Sequence, residues 1–397
     1  MKIPITKPAI DSCEKELVVK PLETGWLVQG PYVEKFQSMF ADFTGSKYAI
    51  ATSSCTTALH LGLIALNIGI GDKVVVPSFT YVASANAIEY TGAKPVFCDI
   101  NLKTFNIDED QLEEIVKEDK NIRAMMPVNL FGLCVTLPRI VEIAKKYDLK
   151  VIEDSACGVG AYIQGRHSGT FGDVGCFSFH PRKVITTGEG GMLITDDPEI
   201  AEKVKVLRDH GASKSDLQRH FEKGGSLLPD FRIRGYNYRM TDMQGAIGVC
   251  QMQKLQTILQ KRTNLASKYT KIIEEEIPFL LTPYVPEGYT HGYQSYVCLF
   301  TGGESVESLD AEKVEKLNKL RNRFMMKLEE KGISTRQGTH AVHTLTYYKQ
   351  KYNLKEWDYP NSFIADRLSI ALPLYAEMKE KEFDYIIENI KAIWKKF

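Results

Sequence analysis

Lys183 is the residue of this sequence best placed for covalent chemistry. It closes the run Cys176-Phe177-Ser178-Phe179-His180-Pro181-Arg182-Lys183, and Thr186-Thr187-Gly188-Glu189-Gly190-Gly191 follows. A hydrophobic, strand-like run that ends near a proline, offers one amine and then turns through glycines would present that amine to a bound aldehyde. Beside an apolar strand a lysine loses solvation, and its pKa is expected to fall toward neutrality. The unprotonated amine then condenses with a carbonyl, the covalent entry to pyridoxal phosphate (PLP) chemistry. Most loop lysines are solvated or paired, so the assignment needs other groups to converge on the same place.

Asp154 follows Leu149-Lys150-Val151-Ile152-Glu153, at the expected carboxyl end of a buried strand. Ligands of open α/β sheets gather at that edge. A carboxylate there can hold a protonated ring nitrogen and keep an electron sink positive. It can also simply cap a helix starting at Ser155-Ala156. Ser53-Ser54-Cys55-Thr56-Thr57 joins a strand at 48–52 to a helix beginning near Thr56. Backbone N–H groups and the helix dipole at such a junction attract a phosphate, and Thr56 adds a hydroxyl. Plain N-capping by Ser54 or Thr56 explains the same residues. Ser178 can supply another phosphate contact or bond locally. Tyr81, in Pro77-Ser78-Phe79-Thr80-Tyr81, can lay its ring on a flat heteroaromatic group or belong to the core. His180 can meet substrate or serve its own loop. Arg234-Gly235-Tyr236-Asn237-Tyr238-Arg239-Met240 suits an anion-facing loop or a polar subunit contact.

These groups need a scaffold that gathers strand ends. Strand patterns fall at 48–52, 73–77, 94–98, 123–128, 149–152 and 192–195. Helical patterns fall at 56–66, 82–90, 111–116, 137–147 and 200–207. That alternation predicts an α/β domain with a mostly parallel sheet. Thr241-Asp242-Met243-Gln244 is a capping-box pattern opening one long helix that could link two domains. Beyond about residue 265 a strand at 293–300 and helices at 314–331 and 379–397 read as a smaller α+β domain. The expected division is 1–262 for the large domain and 263–397 for the small one, with the extreme N-terminus able to pack on the latter.

Lys+Arg and Asp+Glu both number 50, so the formal net charge is zero and no basic excess points to nucleic acid. The eight cysteines are scattered without a CxxC pair, which argues against a structural zinc site. Several lie in apolar runs, as free buried thiols do. The N-terminus lacks a signal-peptide core, and no apolar stretch approaches a membrane span. A reducing cytoplasm is expected.

Taken in order and spacing, several segments carry a family resemblance. They are Gly25-Trp26-Leu27-Val28-Gln29-Gly30-Pro31, Ser54-Cys55-Thr56, Pro77-Ser78-Phe79-Thr80-Tyr81, Ile152-Glu153-Asp154-Ser155-Ala156, the run from Phe177 to Lys183, Thr187-Gly188-Glu189-Gly190-Gly191 and Gly235-Tyr236-Asn237-Tyr238-Arg239-Met240. Over nearly its whole length the chain resembles the DegT/DnrJ family of PLP-dependent sugar aminotransferases, within the fold-type I aspartate aminotransferase superfamily. The resemblance implies a large three-layer domain and a smaller C-terminal one. It implies that Lys183 holds the cofactor covalently, that Asp154 partners the ring nitrogen and that Tyr81 stacks on the ring. Cys55 (through its N–H), Thr56 and Ser178 would bind the phosphate, with Asn237 reaching in from the second subunit of a homodimer.

Three residues depart from the family pattern. Cys157 stands where many members carry Gln or His beside the cofactor's phenolic oxygen, and a thiol is a weak hydrogen-bonder. Arg182 and Asn129 also stand where other types are frequent, and are expected to tune substrate choice. Related sugar dehydratases carry His in place of the lysine, so Lys183 favours transamination. The resemblance implies transfer from L-glutamate to a nucleotide-linked keto sugar, a 3- or 4-keto deoxy sugar, by a ping-pong mechanism feeding amino-sugar and polysaccharide biosynthesis. Trp26, His180, Arg336 and His340 are the candidate substrate contacts. The run from Thr335 to His343 reads equally as a structural connection, and with no acidic or thiol ligand nearby its histidines are not expected to bind metal. The competing readings are transamination of a non-sugar cyclic ketone, sugar dehydration, and a regulatory homologue without turnover.

Overall fold

The computed structural model describes residues 1–213 and 229–397. Its seven-stranded sheet runs in spatial order Tyr48–Thr52, Gly191–Thr195, Val174–Ser178, Lys150–Asp154, Ile122–Met125, Lys73–Pro77, Lys94–Cys98. Gly191–Thr195 is antiparallel to both neighbours, and the remaining pairs are parallel. Strands of such a sheet are buried on both faces and therefore read as near-continuous apolar runs. Val74 and Val76 pack into one core, and Val75 between them packs into another.

Helices cover both faces. On one lie Cys55–Ala65, Ala83–Tyr90 and Pro198–Arg208; on the other lie Glu109–Glu118, Leu137–Tyr147, Pro31–Thr44 and Asp242–Gln253. The last two meet closely. Gly248 lies against the Phe36 ring and Gly245 against the Val33 backbone, leaving no room for a side chain at either position. Phe36 and Phe40 in turn pack on Phe177 and Phe179, with ring centroids 4.9–5.5 Å apart. Such pairs contribute about 0.5–1.5 kcal/mol each beyond area burial. They anchor the strand that leads into Lys183.

The capping box at Thr241 is present, with Gln244 reaching back to the Thr241 N–H. The single long helix expected beyond it is two, Asp242–Gln253 and Leu255–Glu276. The chain breaks at Lys254, whose backbone (φ −110°, ψ 5°) is not helical. The apolar spacing continues across the break, which is why periodicity alone does not reveal it.

A three-stranded antiparallel sheet, Leu280–Leu281, Tyr296–Phe300 and Ser369–Leu372, carries the C-terminal region. Its core also takes residues of the helices Leu255–Glu276, Ala311–Glu330 and Glu380–Trp394, together with Ile3, whose backbone pairs with Ile333. Backbone pairing and side-chain hydrogen bonds are among the contacts that join this region to the large domain. His340–Ala341 pairs with Phe79–Thr80. Gln294 donates to the Arg182 carbonyl at 2.8 Å, while buried Arg262 holds the Tyr293 and Gln294 carbonyls.

One cysteine finding differs from the expectation of free thiols. Cys13 and Cys250 form a disulfide, joining the helix Ser12–Leu17 to Asp242–Gln253. The other six are free. The two partners are 237 positions apart in sequence, so no local spacing marks them as a pair.

Candidate active site

Strand register decides which residues share an edge. Thr52 is opposite Gly191, Gly191 opposite Ser178, and Asp154 opposite Cys176. The turns that follow Thr52, Pro77, Asp154 and Ser178 therefore open on one side of the sheet, and with them come Cys55, Tyr81, Cys157 and Lys183.

The Lys183 loop is held from within. Thr187 N–H and the Thr186 hydroxyl both donate to the Phe179 carbonyl, and Lys183 N–H donates to that of His180. The Lys183 amine lies 3.1 Å from Cys157 Sγ. Burial pushes the amine down, but the neighbouring Cys157, Cys55 and Asp154 outweigh it and hold its pKa above the ordinary lysine value. This corrects the expected fall toward neutrality. Apolar surroundings are legible from the residues next to Lys183 in the chain; the thiol and carboxylate folded onto the amine are not.

Asp154 is 4% exposed. Burial raises its pKa; the Ser84 hydroxyl, the Ala156 N–H and the Lys183 charge pull the other way without cancelling the rise. The alternative role of Asp154, capping a helix from Ser155, has no helix to serve: a turn follows the strand, and Ala156 N–H donates to the carboxylate at 3.1 Å. Ser84 Oγ donates to the other oxygen at 2.7 Å. Ser84 is a site residue that sequence reasoning misses; its only signal is a small polar residue on the buried side of the helix after Tyr81.

Cys55 is the first residue of the helix Cys55–Ala65, capped by Ser54, whose side chain accepts from Thr57 N–H. The first N–H groups of a helix have no partner within it, so those of Cys55 and Thr56 are left for a ligand. Of the two N-cap candidates, Ser54 is the one that caps the helix. Gly191 passes so close that a methyl group there would strike the Ser54 carbonyl. Ser178 is buried, and among the described residues its hydroxyl has only a 3.4 Å contact from His180 N–H. The Tyr81 ring is 65% exposed and is not core.

The remaining candidates are placed less directly. His180 is half-buried, and its Nδ1 accepts from Arg182 N–H at 3.1 Å, a local loop bond. Trp26 lies on the segment that pairs with residues 240–242, its ring against Gly30. Asn237 is exposed, on a segment whose Tyr238 carbonyl accepts from Ser53 N–H. Arg336 is exposed, with its backbone paired to Ala371 and its guanidinium on the Thr335 carbonyl. His340 is exposed beside Thr80, whereas His343 is buried and bonds Ser78 and the Glu356 carbonyl, so the two histidines do not converge. Asn129, expected to tune substrate choice, has no exposed surface. Its amide donates to Glu153 and Ser155, and its oxygen accepts from Val135 N–H. The Arg182 side chain points away from the core, and its carbonyl is the group Gln294 holds.

An amine, a buried carboxylate, an open aromatic ring and a helix N-terminus thus meet at one sheet edge. Together they can hold a flat, phosphate-bearing aldehyde.

The profile of the DegT/DnrJ/EryC1/StrS aminotransferase family matches residues 8–391. The spore coat polysaccharide biosynthesis protein SpsC of Bacillus subtilis is 36% identical, over 99% of this chain and 97% of its own length. A GDP-perosamine synthase of Caulobacter vibrioides is 34% identical, over 99% of this chain and 98% of its own. Among solved structures, the putative sugar aminotransferase Spr1654 of Streptococcus pneumoniae in its PMP-form superposes with a TM-score of 0.89 at 28% identity, covering 100% of both chains.

Proposed function

The chain belongs to the DegT/DnrJ/EryC1/StrS aminotransferase family and is a PLP-dependent sugar aminotransferase, and from that premise we propose that it moves an amino group from L-glutamate to a nucleotide-linked keto sugar. The observation that carries the reading is that Lys183 and Asp154 leave adjacent parallel strands at one sheet edge, Asp154 opposite Cys176 and the Lys183 amine 3.1 Å from Cys157 just past Asp154. Bound PLP supplies an electron sink that no side chain offers.

In this reading Lys183 holds the cofactor covalently and, once displaced by substrate, moves the proton on and off the reacting carbon. Asp154 keeps the ring nitrogen protonated. Tyr81 covers one ring face. Cys55 N–H, Thr56 and Ser178 take the phosphate at the helix N-terminus, while Gly191 leaves the space beside that turn. Cys157 stands at the phenolic oxygen. Asn237 completes the phosphate site of the opposite subunit in a homodimer, and its exposure is compatible with that.

Donor and acceptor occupy one pocket in turn, so the kinetics are ping-pong. Trp26, His180, Arg336 and His340 are proposed to line the sugar-nucleotide side. Arg336 is the cation suited to a diphosphate; among the described residues its guanidinium is held by the Thr335 carbonyl and not by a carboxylate. The names of SpsC and GDP-perosamine synthase support a nucleotide-linked sugar and a polysaccharide destination, and a 3- or 4-keto deoxy sugar is the acceptor we propose. No described helix is long and apolar enough to cross a membrane; a cytoplasmic reaction is our proposal, and the Cys13–Cys250 disulfide, uncommon in a reducing compartment, does not support it. We place the domain boundary near residue 262. The test is a screen of nucleotide-linked 3-keto and 4-keto sugars with glutamate, read by mass. Amination of one of them supports the proposal; turnover only with non-sugar ketones, or loss of water instead of gain of nitrogen, overturns it.

A further inference from the structure

The Asp154 carboxylate is reached by a buried hydrogen-bond chain. Ser84 and Thr80 are each 1% exposed. Ser84 Oγ lies 2.7 Å from Asp154 Oδ2 and 3.0 Å from Thr80 Oγ1. A serine has one proton and two lone pairs. Given to Asp154, the proton leaves Ser84 free to accept from Thr80, so the two hydroxyls point one way and reinforce each other. The rival acceptor for that proton, the Tyr81 carbonyl, is farther away at 3.2 Å. Asp154 Oδ1 has its own donor in Ala156 N–H. Each carboxylate oxygen is thus fixed by one bond and keeps one direction for a ligand.

We propose that Ser84, backed by Thr80, is a positioning residue that keeps Asp154 ionised and sets the direction from which it meets the cofactor's ring nitrogen. The proposal rests on the reading of Asp154 given above. Its physical basis is that burial disfavours a carboxylate unless donors compensate, and among the described residues this one receives two hydrogen-bond donors, Ser84 and Ala156. Water cannot substitute for Ser84 in so closed a place. The local chain path points the same way. Thr80 is fixed by backbone pairing with His340, Tyr81 follows it, and Ser84 lies in the first turn of Ala83–Tyr90. One short stretch therefore carries both the ring assigned to the cofactor's face and the hydroxyl that orients its nitrogen partner. Ser84 itself is too buried to touch substrate.

The experiment loads wild type, Ser84→Ala, Ser84→Thr and Asp154→Asn with PLP labelled at the ring nitrogen. It reads the nitrogen chemical shift by NMR and the cofactor dissociation constant by titration, with melting of each cofactor-free variant as a folding control. Ser84→Ala is expected to move the nitrogen signal toward the unprotonated value and to weaken cofactor binding about tenfold, the equivalent of one hydrogen bond to a charged group. Ser84→Thr, which restores a hydroxyl, is expected to keep both near wild type. If Asp154→Asn moves the signal and Ser84→Ala does not, the role of Ser84 is refuted and that of Asp154 stands. If neither moves it, the reading of Asp154 fails as well. Weaker binding in both Ser84 variants with an unchanged signal marks a packing effect and also overturns the proposal.

Discussion

Replacing Asp154 by asparagine separates the electrostatic role of this residue from its structural one. The substitution keeps size and shape. The new side chain would still accept from Ala156 N–H through its oxygen, and its amide could donate to Ser84 Oγ, whose proton would then turn to the Tyr81 carbonyl 3.2 Å away. The site therefore survives, and so does the fold. What disappears is the negative charge opposite the ring nitrogen. Removing one partner of a buried pair costs about 3–5 kcal/mol. If that loss falls on the transition state for proton removal, with a factor of ten for each 1.4 kcal/mol or so, the half-reaction with glutamate slows by roughly 10²- to 10⁴-fold. The assay is single-turnover stopped flow on the cofactor-loaded variant, following the visible absorption after glutamate is added. Cofactor binding should persist and the melting temperature of the cofactor-free protein should stay near wild type. A variant that binds PLP and transfers the amine at the wild-type rate would refute the assignment.

The geometry makes two other outcomes measurable. Buried His167 accepts from Gly160 N–H through Nε2 and donates from Nδ1 to the Ser168 carbonyl, and burial lowers its pKa to about 4. The unfolded chain takes up this proton near pH 6.5 and the folded one does not, so the stability contributed by neutral His167 is full above pH 6.5 and is lost as pH falls toward 4. Unfolding free energies from urea titrations at pH 7 and pH 5 should fall by up to about 1.4 kcal/mol per pH unit more for wild type than for His167→Gln; equal slopes would contradict this. For the shared site, Lys183→Ala and Asn237→Ala chains, each inactive alone, should regain about a quarter of wild-type activity when refolded together, because half the dimers then hold one intact site of two. No recovery would mean that Asn237 serves its own chain.

Much of the large domain is legible in the sequence because its strands are apolar on both faces and its turns carry glycine, serine and aspartate at strand ends. The buried runs 73–77 and 149–152 read directly as central strands, and Tyr81 and Asp154 stand just beyond them. What cannot be read depends on contacts between distant segments. The break at Lys254 is hidden by continuous apolar spacing. The Cys13–Cys250 bond joins residues 237 positions apart. Asn129 reads from its departure from the family pattern as a tuner of substrate choice, whereas its side chain turns inward to brace Glu153 and Ser155. The direction of the Lys183 shift is illegible for the same reason: burial can be inferred from neighbours in sequence, whereas the Cys157 thiol 3.1 Å away cannot. Nothing in the immediate sequence of Ser84 points to a carboxylate 70 residues further on.

The bond between Lys183 and the cofactor is where the proposed chemistry begins, and it can be trapped. Borohydride reduction of the PLP-loaded protein, followed by digestion and mass spectrometry, should place the reduced cofactor on Lys183 in wild type. Lys183→Ala should take up no label and lose both its visible absorption and its turnover while melting normally. Label on another lysine, or full turnover by the alanine variant, would contradict it.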